Sequence, residues 1–258
     1  MHVDERGHAD ARPVLLVHGG GVAGWMWRPL VDELTQRRCL VPDLPGHDHS
    51  SDEPYRDHAS TVDALARVVE ARAKGPVDVV GFSLGAQLGV MLASLRPELV
   101  ASVTVISAQA RPMRATRALV TMVGATSALA GRTWFARLQA RELFVPDASF
   151  GDYLRTARSI SRDTLVTSVR ENLQFRVPAA WSQQSGAPAL VLVGAKERRV
   201  MLDSARGLHR SRPGTQLEVV PGRGHGLPLQ DPVWLAQRLQ GWWQSGQSGR
   251  PGATSPDS

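Results

Sequence analysis

The chain has 258 residues, 42% hydrophobic and 21% charged, which is typical of one large globular domain or one domain with an insertion. Its single cysteine, Cys39, excludes an intramolecular disulfide and a cysteine-cluster zinc site. The net charge of +6 does not indicate nucleic-acid binding, because the basic residues are scattered rather than grouped in one element.

Neither a secretion signal nor a membrane span is predicted. Residues 1–13 carry several charges and contain no apolar run. Residues 79–95 form an uncharged stretch of 17 residues that is interrupted by glycines, so this stretch falls short of a spanning helix. We therefore expect a cytoplasmic protein.

Short apolar runs alternate with amphipathic patterns along most of the chain. Strands are predicted at 14–17, 39–41, 77–80, 99–106, 189–193 and 216–220. Helices are predicted at 25–36, 61–74, 84–95, 201–210 and 232–243. This alternation predicts an α/β fold with a mostly parallel, doubly wound sheet.

One long segment interrupts this alternation. Residues 109–187 show four helical patterns, at 117–129, 133–143, 149–160 and 163–173, and are too long for a loop. We expect them to form an inserted helical cap over a core made of residues 1–108 and 188–244. The Gly-, Ser- and Pro-rich tail, residues 245–258, is predicted to be disordered.

Residues 81–85, Gly-Phe-Ser-Leu-Gly, form a G-x-S-x-G motif between a predicted strand and a predicted helix. In this context the turn is so tight that the serine takes a strained backbone conformation, and the glycines avoid steric overlap. The N-terminus of the following helix brings free N–H groups to the same place. The motif therefore predicts Ser83 as a nucleophile.

A serine hydroxyl is a poor nucleophile without a base within hydrogen-bonding distance. His225 lies between two glycines in the loop after the last predicted strand, and its imidazole accepts and returns a proton near neutral pH. The histidine in turn needs an anionic partner. Glu197 is the only carboxylate of the loop 193–200, although the neighbouring arginines could pair with it instead; Asp203 is the alternative.

A transition-state oxyanion would need two backbone N–H donors. Residues 18–21, His-Gly-Gly-Gly, follow the first predicted strand and let the backbone approach a substrate closely. We expect one donor from Gly20, or next from Gly21, and the second from Leu84 directly after the nucleophile.

These motifs resemble the α/β-hydrolase superfamily of serine hydrolases with a helical lid, over residues of about 12 to 243. The residues that carry the resemblance are 18–21, 43–47, 81–85, 194–197 and 224–225. The resemblance implies Ser83 as nucleophile, His225 as general base, and Glu197 as its orienting acid. We expect neither a cofactor nor a metal. Two features depart from the family pattern: Glu replaces the more usual Asp, and the leading antiparallel strands are expected to be shortened or missing.

Other chemistry-bearing residues receive structural interpretations. The polar loop with His47, Asp48, His49 and Asp52 lacks a second cluster that would complete a metal site. The expected partner is a small apolar acyl substrate. Residues predicted to line its pocket are Trp25, Phe82, Met113, Met122, Trp134 and Phe144.

The leading functional hypothesis is a cofactor-free hydrolase of small or medium apolar carboxylic esters, thioesters or lactones. Hydrolytic C–C cleavage of the β-diketone type uses the same groups and is the main enzymatic alternative. A non-catalytic receptor for a small ligand on the same fold is the alternative from another class. The sequence does not indicate an oligomeric state.

Overall fold

The computed structural model describes residues 1–8, 10–182 and 187–248. Within them, seven strands form one sheet in the order β1-β3-β2-β4-β5-β6-β7. The strands are β1 (Val3–Arg6), β2 (Pro13–Val17), β3 (Arg38–Pro42), β4 (Val77–Phe82), β5 (Val100–Ile106), β6 (Ala189–Gly194) and β7 (Gln216–Val220). All pairs are parallel except β1 with β3, so the predicted α/β fold with a mostly parallel sheet is confirmed.

The antiparallel edge strand β1 was not predicted from the sequence. It pairs with β3 in the register Val3 to Pro42 and has only four residues, three of them exposed. An exposed polar strand lacks the apolar run that identifies the buried strands β4, β5 and β6, which are buried along their whole lengths. The leading antiparallel part of the sheet is thus present as this short strand.

Helices cover both faces of the sheet. They are α1 (Arg28–Glu33), α2 (His58–Arg72), α3 (Leu84–Leu95), α4 (Thr116–Ala130), α5 (Thr133–Glu142), α6 (Phe150–Ser159), α7 (Arg162–Gln174), α8 (Arg199–Ser211), α9 (Leu227–Gln230) and α10 (Pro232–Ser248). In β2, Val14 and Leu16 join one buried apolar cluster, whereas Leu15 and Val17 join another. Because alternate side chains of a strand point to opposite faces, the sheet has a core on each side.

The inserted helices are α4 to α7, which lie between β5 and β6 with no strand among the described residues of that segment. They agree with the four predicted helical patterns to within a few residues. One helix prediction differs: residues 25–36 form a 3-10 turn, Gly24–Trp27, followed by the short α1, because Pro29 starts a new helix.

The C-terminal boundary also differs from the prediction. Helix α10 continues to Ser248, so the first four residues of the tail predicted to be disordered are helical. The rest of that prediction, residues 249–258, lies outside the described residues. No helix in the described part of the chain is long and apolar enough to cross a membrane.

Candidate active site

Ser83 occupies the turn between β4 and α3 in a strained conformation, with φ 53° and ψ −112°. A β-carbon at Gly81 would lie 2.3 Å from the carbonyl oxygen of Gly85, and one at Gly85 would lie 2.2 Å from that of Val17. Since any side chain at either position would overlap backbone, only glycine permits this turn. The turn holds Ser83 at the carboxyl end of β4, where the side chain is partly accessible.

The structure brings Ser83, His225 and Glu197 into one chain of hydrogen bonds. His225 Nε2 lies 3.2 Å from Ser83 Oγ, and His225 Nδ1 lies 2.8 Å from Glu197 Oε2. Because an ionised carboxylate can only accept, Nδ1–H donates to Glu197 and Nε2 accepts from the serine hydroxyl. This tautomer leaves the imidazole ready to take a proton from Ser83.

Two further donors hold the Glu197 carboxylate. Ser107 Oγ–H donates to Oε1 at 2.6 Å, and the Gly194 N–H donates to the same oxygen at 3.0 Å. Burial alone would raise the pKa of Glu197, but the hydrogen bond and charge of His225, together with these donors, lower it below its usual value. Glu197 is therefore held ionised beneath the imidazole.

Ser107 is a site residue that the sequence analysis missed. It follows β5 directly, at the same sheet edge as Ser83, and has a positive φ of 56°. A polar residue at the carboxyl end of a buried strand next to the nucleophile strand is the signal that could have identified it.

The loops that carry Glu197 and His225 are joined by backbone hydrogen bonds. The Lys196 N–H donates to Arg223 O at 2.9 Å, and a β-carbon at Gly194 would lie 2.5 Å from the same oxygen. Asp203, the alternative acid, instead forms ion pairs with Arg199 and Arg206 on α8. The structure thus places Glu197, and not Asp203, against the histidine.

The glycine loop predicted to hold the oxyanion lies beside the nucleophile. A β-carbon at Gly20 would be 3.7 Å from Leu84 Cδ2, whereas one at Gly21, where φ is +78°, would meet nothing within 4 Å. Leu84 is the first residue of α3, so its N–H has no acceptor within the helix. Gly20, Gly21 and Leu84 remain predictions as oxyanion donors, with Gly20 and Leu84 adjacent in space.

His18 fixes the start of this glycine loop. Its Nδ1–H donates to Gly19 O at 2.7 Å, and its Nε2 accepts from the Leu44 N–H at 2.9 Å. Complete burial lowers the pKa of His18 to about 4, so the ring stays neutral at neutral pH. It binds backbone groups, which is the structural role the sequence indicates.

Three of the six predicted pocket residues, Trp25, Phe82 and Phe144, lie near the site or in the contact between core and helical segment, whereas Met113 makes its contact within that segment. The Phe82 ring centroid is 5.2 Å from that of His225, and Phe144 lies against Gly224, beside the histidine. Trp25 is buried, and its Nε1–H donates to Thr156 Oγ1 on α6 at 3.0 Å. The half-buried Met113 donates its N–H to Leu173 O at the end of α7.

The structure does not bring the other two, Met122 and Trp134, to Ser83. Met122 is 57% exposed on α4, and Trp134 is 63% exposed at the start of α5. Trp134 lines a separate cleft within the helical segment. Both residues lie on outer faces of their helices. The helical period of the sequence groups residues into faces, but it does not show which face is turned towards the site.

The polar loop of residues 47–52, which was not expected to bind a metal, makes hydrogen bonds and ion pairs within the protein. Asp48 binds the Arg155 guanidinium through both carboxylate oxygens, each at 3.0 Å, and the His47 Nδ1–H donates to Pro45 O. Among the described residues, His2, Asp43 and His49 have ligand atoms within 4.8 Å of one another. Asp43 already accepts from the Gly24 N–H and lies 2.9 Å from His49 Nδ1, so its carboxylate is satisfied without an ion.

Comparison with known proteins identifies relatives over most of the chain. The profile described as the alpha/beta hydrolase family matches residues 14–238. Lipase LipV of Mycobacterium tuberculosis is 33% identical over 106 residues, which are 41% of each chain. The pimeloyl-[acyl-carrier protein] methyl ester esterase of Neisseria meningitidis is 27% identical over 83% of this chain and 86% of the relative.

Solved structures show the same architecture. The esterase EaEST from Exiguobacterium antarcticum superposes with a TM-score of 0.81 over 94% of this chain and 95% of its own, at 17% sequence identity. At that identity the likeness concerns the fold alone.

Proposed function

Because the chain belongs to the alpha/beta hydrolase family and is a hydrolase, we propose that it cleaves small or medium apolar carboxylic esters, thioesters or lactones through an acyl-enzyme on Ser83. The observation that carries the proposal is the continuous hydrogen-bond chain from Ser83 through His225 to the buried Glu197. The named relatives, a lipase and a methyl ester esterase, support ester cleavage.

In the proposed reaction, Ser83 Oγ attacks the substrate carbonyl carbon while His225 Nε2 takes the hydroxyl proton. Glu197 stays ionised and stabilises the imidazolium that forms. The C–O or C–S bond to the leaving group breaks, and His225 returns the proton to the departing oxygen or sulfur. A water molecule then loses its proton to His225 and attacks the acyl-enzyme, which releases the acid and restores the serine.

The carbonyl oxygen acquires negative charge in each tetrahedral intermediate. The N–H groups of Gly20 and Leu84 are our candidates to receive this charge, and Gly20 carries no side chain that would block the carbonyl. Loss of one such donor costs about 2.7–4 kcal/mol of transition-state stabilisation in other hydrolases, so backbone geometry matters as much as the side chains.

A fluorophosphonate probe and a substrate panel test this proposal. We expect the probe to label Ser83, identified by peptide mass spectrometry, and Ser83→Ala to lower ester turnover by about 10⁴-fold or more. Ser107→Ala, which leaves the nucleophile in place, should still be labelled. Ligand binding without a label on Ser83, or a Ser83→Ala protein as active as the wild type, would contradict the proposal.

The panel should contain esters, thioesters, lactones and β-diketones with matched apolar acyl groups. Preferred hydrolysis of an ester, thioester or lactone supports the proposed substrate class. Exclusive cleavage of the β-diketone would instead assign C–C bond hydrolysis to the same three residues.

A further inference from the structure

The net positive charge of the protein is concentrated in one segment. Residues 109–187 contain eleven arginines against five carboxylates, whereas basic and acidic residues balance in the rest of the chain. All eleven arginines are exposed. The scattered appearance of the basic residues in the sequence therefore hides a cationic helical segment, and proteins use such local fields to attract anions.

Part of this charge surrounds an open cleft of about 1070 Å³. The cleft lies between the end of α4, the start of α5 and the end of α6. Its lining residues are Ala128, Leu129, Gly131, Arg132, Thr133, Trp134, Arg137 and Arg158. None of the residues of the Ser83–His225–Glu197 chain belongs to this lining, so the cleft is separate from the catalytic site.

The three guanidinium groups of this cleft have no carboxylate partner among the ion pairs of the described residues. Two of them are nevertheless fixed in place. The Arg158 Nε–H donates to Gly131 O at 3.2 Å, and the Arg137 guanidinium lies 4.5 Å from the centroid of the Phe150 ring. Three like charges around one cleft repel one another, and an anion that binds between them removes this repulsion.

An aromatic side chain completes the lining. Trp134 is 63% exposed, although its ring packs edge-to-face against Phe135 with the centroids 5.5 Å apart. An exposed indole held by a neighbouring ring offers a flat apolar surface for stacking. Thr133, the first residue of α5, also brings the positive end of that helix to the cleft.

We propose that the cleft formed by Arg132, Arg137, Arg158 and Trp134 binds a phosphate ester that carries a planar ring, with phosphate oxygens on the guanidinium groups and the ring against the indole. Arginine pairs with phosphate through two parallel hydrogen bonds, and aromatic side chains stack on bases of any identity. A nucleotide-like group satisfies both parts of the cleft, whereas a fatty acyl group satisfies neither.

Direct binding measurements test the site. We would titrate the purified wild-type protein with pyrophosphate and with adenosine diphosphate, and follow calorimetry and tryptophan fluorescence. Both probes should bind saturably. Arg158→Ala and Arg132→Ala should each raise both dissociation constants about tenfold or more. Trp134→Ala should raise the constant for adenosine diphosphate about tenfold and leave that for pyrophosphate unchanged.

Charge-matched variants separate a site from a general cationic field. Arg117→Ala and Arg170→Ala each remove one exposed arginine of the same segment outside the cleft, and both should leave binding unchanged. Ser83→Ala should also bind normally, because the site is independent of the nucleophile. Lack of saturable binding of both probes, or equal weakening by Arg117→Ala and Arg158→Ala, would overturn the proposal.

The phosphate ester could be a separate effector or part of the acyl substrate, and thioester hydrolysis distinguishes these two sources. Helix α5 leads from the cleft to Phe144 beside the His225 loop, about 15 Å at 1.5 Å per residue. If the cleft holds part of the substrate, butyryl-coenzyme A should exceed S-butyryl-N-acetylcysteamine in kcat/KM about tenfold or more, and Arg158→Ala should abolish the difference. If it holds an effector, the two thioesters should react alike, and adenosine diphosphate should change both rates equally.

Discussion

The contacts of Glu197 explain how a glutamate can serve as the acid partner of His225, a position where aspartate is more usual in the family. Its Oε1 folds back to accept the N–H of Gly194 in its own loop and the hydroxyl of Ser107, while Oε2 meets His225. The extra methylene is thus accommodated by a carboxylate bound from two sides. With its side chain fully buried, the acid has fixed orientation as well as charge.

This arrangement predicts the effect of exchanging one oxygen of the acid. Glu197→Gln keeps the size of the side chain but removes the charge that stabilises the imidazolium and favours the reactive tautomer, so we expect kcat on a chromogenic ester to fall about 10⁴-fold. Asp203→Asn, which alters the alternative acid on α8, is the matched control and should retain full activity. A nearly normal rate for Glu197→Gln would exclude it from the reaction.

The role of a single residue could be predicted from the sequence only where its neighbours in the chain determine that role. Ser83 and the glycines around it form a contiguous motif whose strain is local, so the turn could be inferred directly. Ser107 binds a partner 90 residues further along the chain, and no local pattern encodes that contact. The outward placement of Trp134 likewise depends on how neighbouring helices pack.

Between secondary-structure elements, an ion-pair network attaches α6 to the core. Arg155 on α6 binds Asp48 in the core through two hydrogen bonds and Asp152 through a third at 2.6 Å. Arg28 of α1 binds the other oxygen of Asp152, also at 2.6 Å. Asp48 is buried, which alone would raise its pKa, but the hydrogen bonds and charge of Arg155, together with the charges of His49 and Arg28, lower it.

Loss of the Asp48 charge should loosen this attachment. Asp48→Asn preserves the side-chain shape and tolerates the local φ of +43°, but replaces a bidentate charged pair with a weaker contact. We expect a loss of about 1–3 kcal/mol in unfolding free energy and faster amide exchange in Phe150–Ser159, measured by hydrogen-exchange mass spectrometry. The control Asp147→Asn alters an exposed carboxylate of the helical segment just before α6 and should change neither quantity. Unchanged exchange in Asp48→Asn would show that other contacts hold α6.

The elements themselves were predictable where burial imposes a simple pattern. Strands β4 to β6 are covered on both faces and are therefore continuous apolar runs, and α4 to α7 keep a helical period. By contrast, β1 is recognisable only through its hydrogen bonds to β3. Contacts such as Arg155 with Asp48 depend on the relative placement of segments 107 residues apart, which periodicity does not contain.

For the whole molecule, the buried histidines determine how stability responds to acid. Burial lowers the pKa of His18 to about 4 and that of His47 to about 3, and it also lowers the pKa of His58. The rings of His18 and His47 lie 5.1 Å apart, so a charge on one opposes a charge on the other. All three rings are therefore neutral in the folded protein at neutral pH.

The sign of the pH effect follows from proton binding. In the unfolded chain these histidines titrate at their ordinary pKa of 6.5, whereas in the folded chain His18 and His47 remain neutral to about pH 4 and about pH 3. As pH falls below 6.5, the unfolded state binds more protons, so the free energy of unfolding decreases. The carboxylates Glu197 and Asp48, whose pKa values are lowered in the folded state, add to this only below about pH 4.5.

We therefore expect urea unfolding, followed by tryptophan fluorescence between pH 7 and 4.5, to show stability falling with acid. Below pH 6 the slope from His18 and His47 should approach about 1.4 kcal/mol per pH unit for each ring. The slope is proportional to the number of protons taken up on unfolding, so His47→Gln should lower that number by about one. This holds whatever effect the substitution has on stability at a single pH. His8→Gln, at an exposed position, should leave it unchanged. If His47→Gln has the same slope as the wild type, the His47 ring is already protonated in the folded protein. Burial of the His18–His47 pair would then not explain the loss of stability in acid.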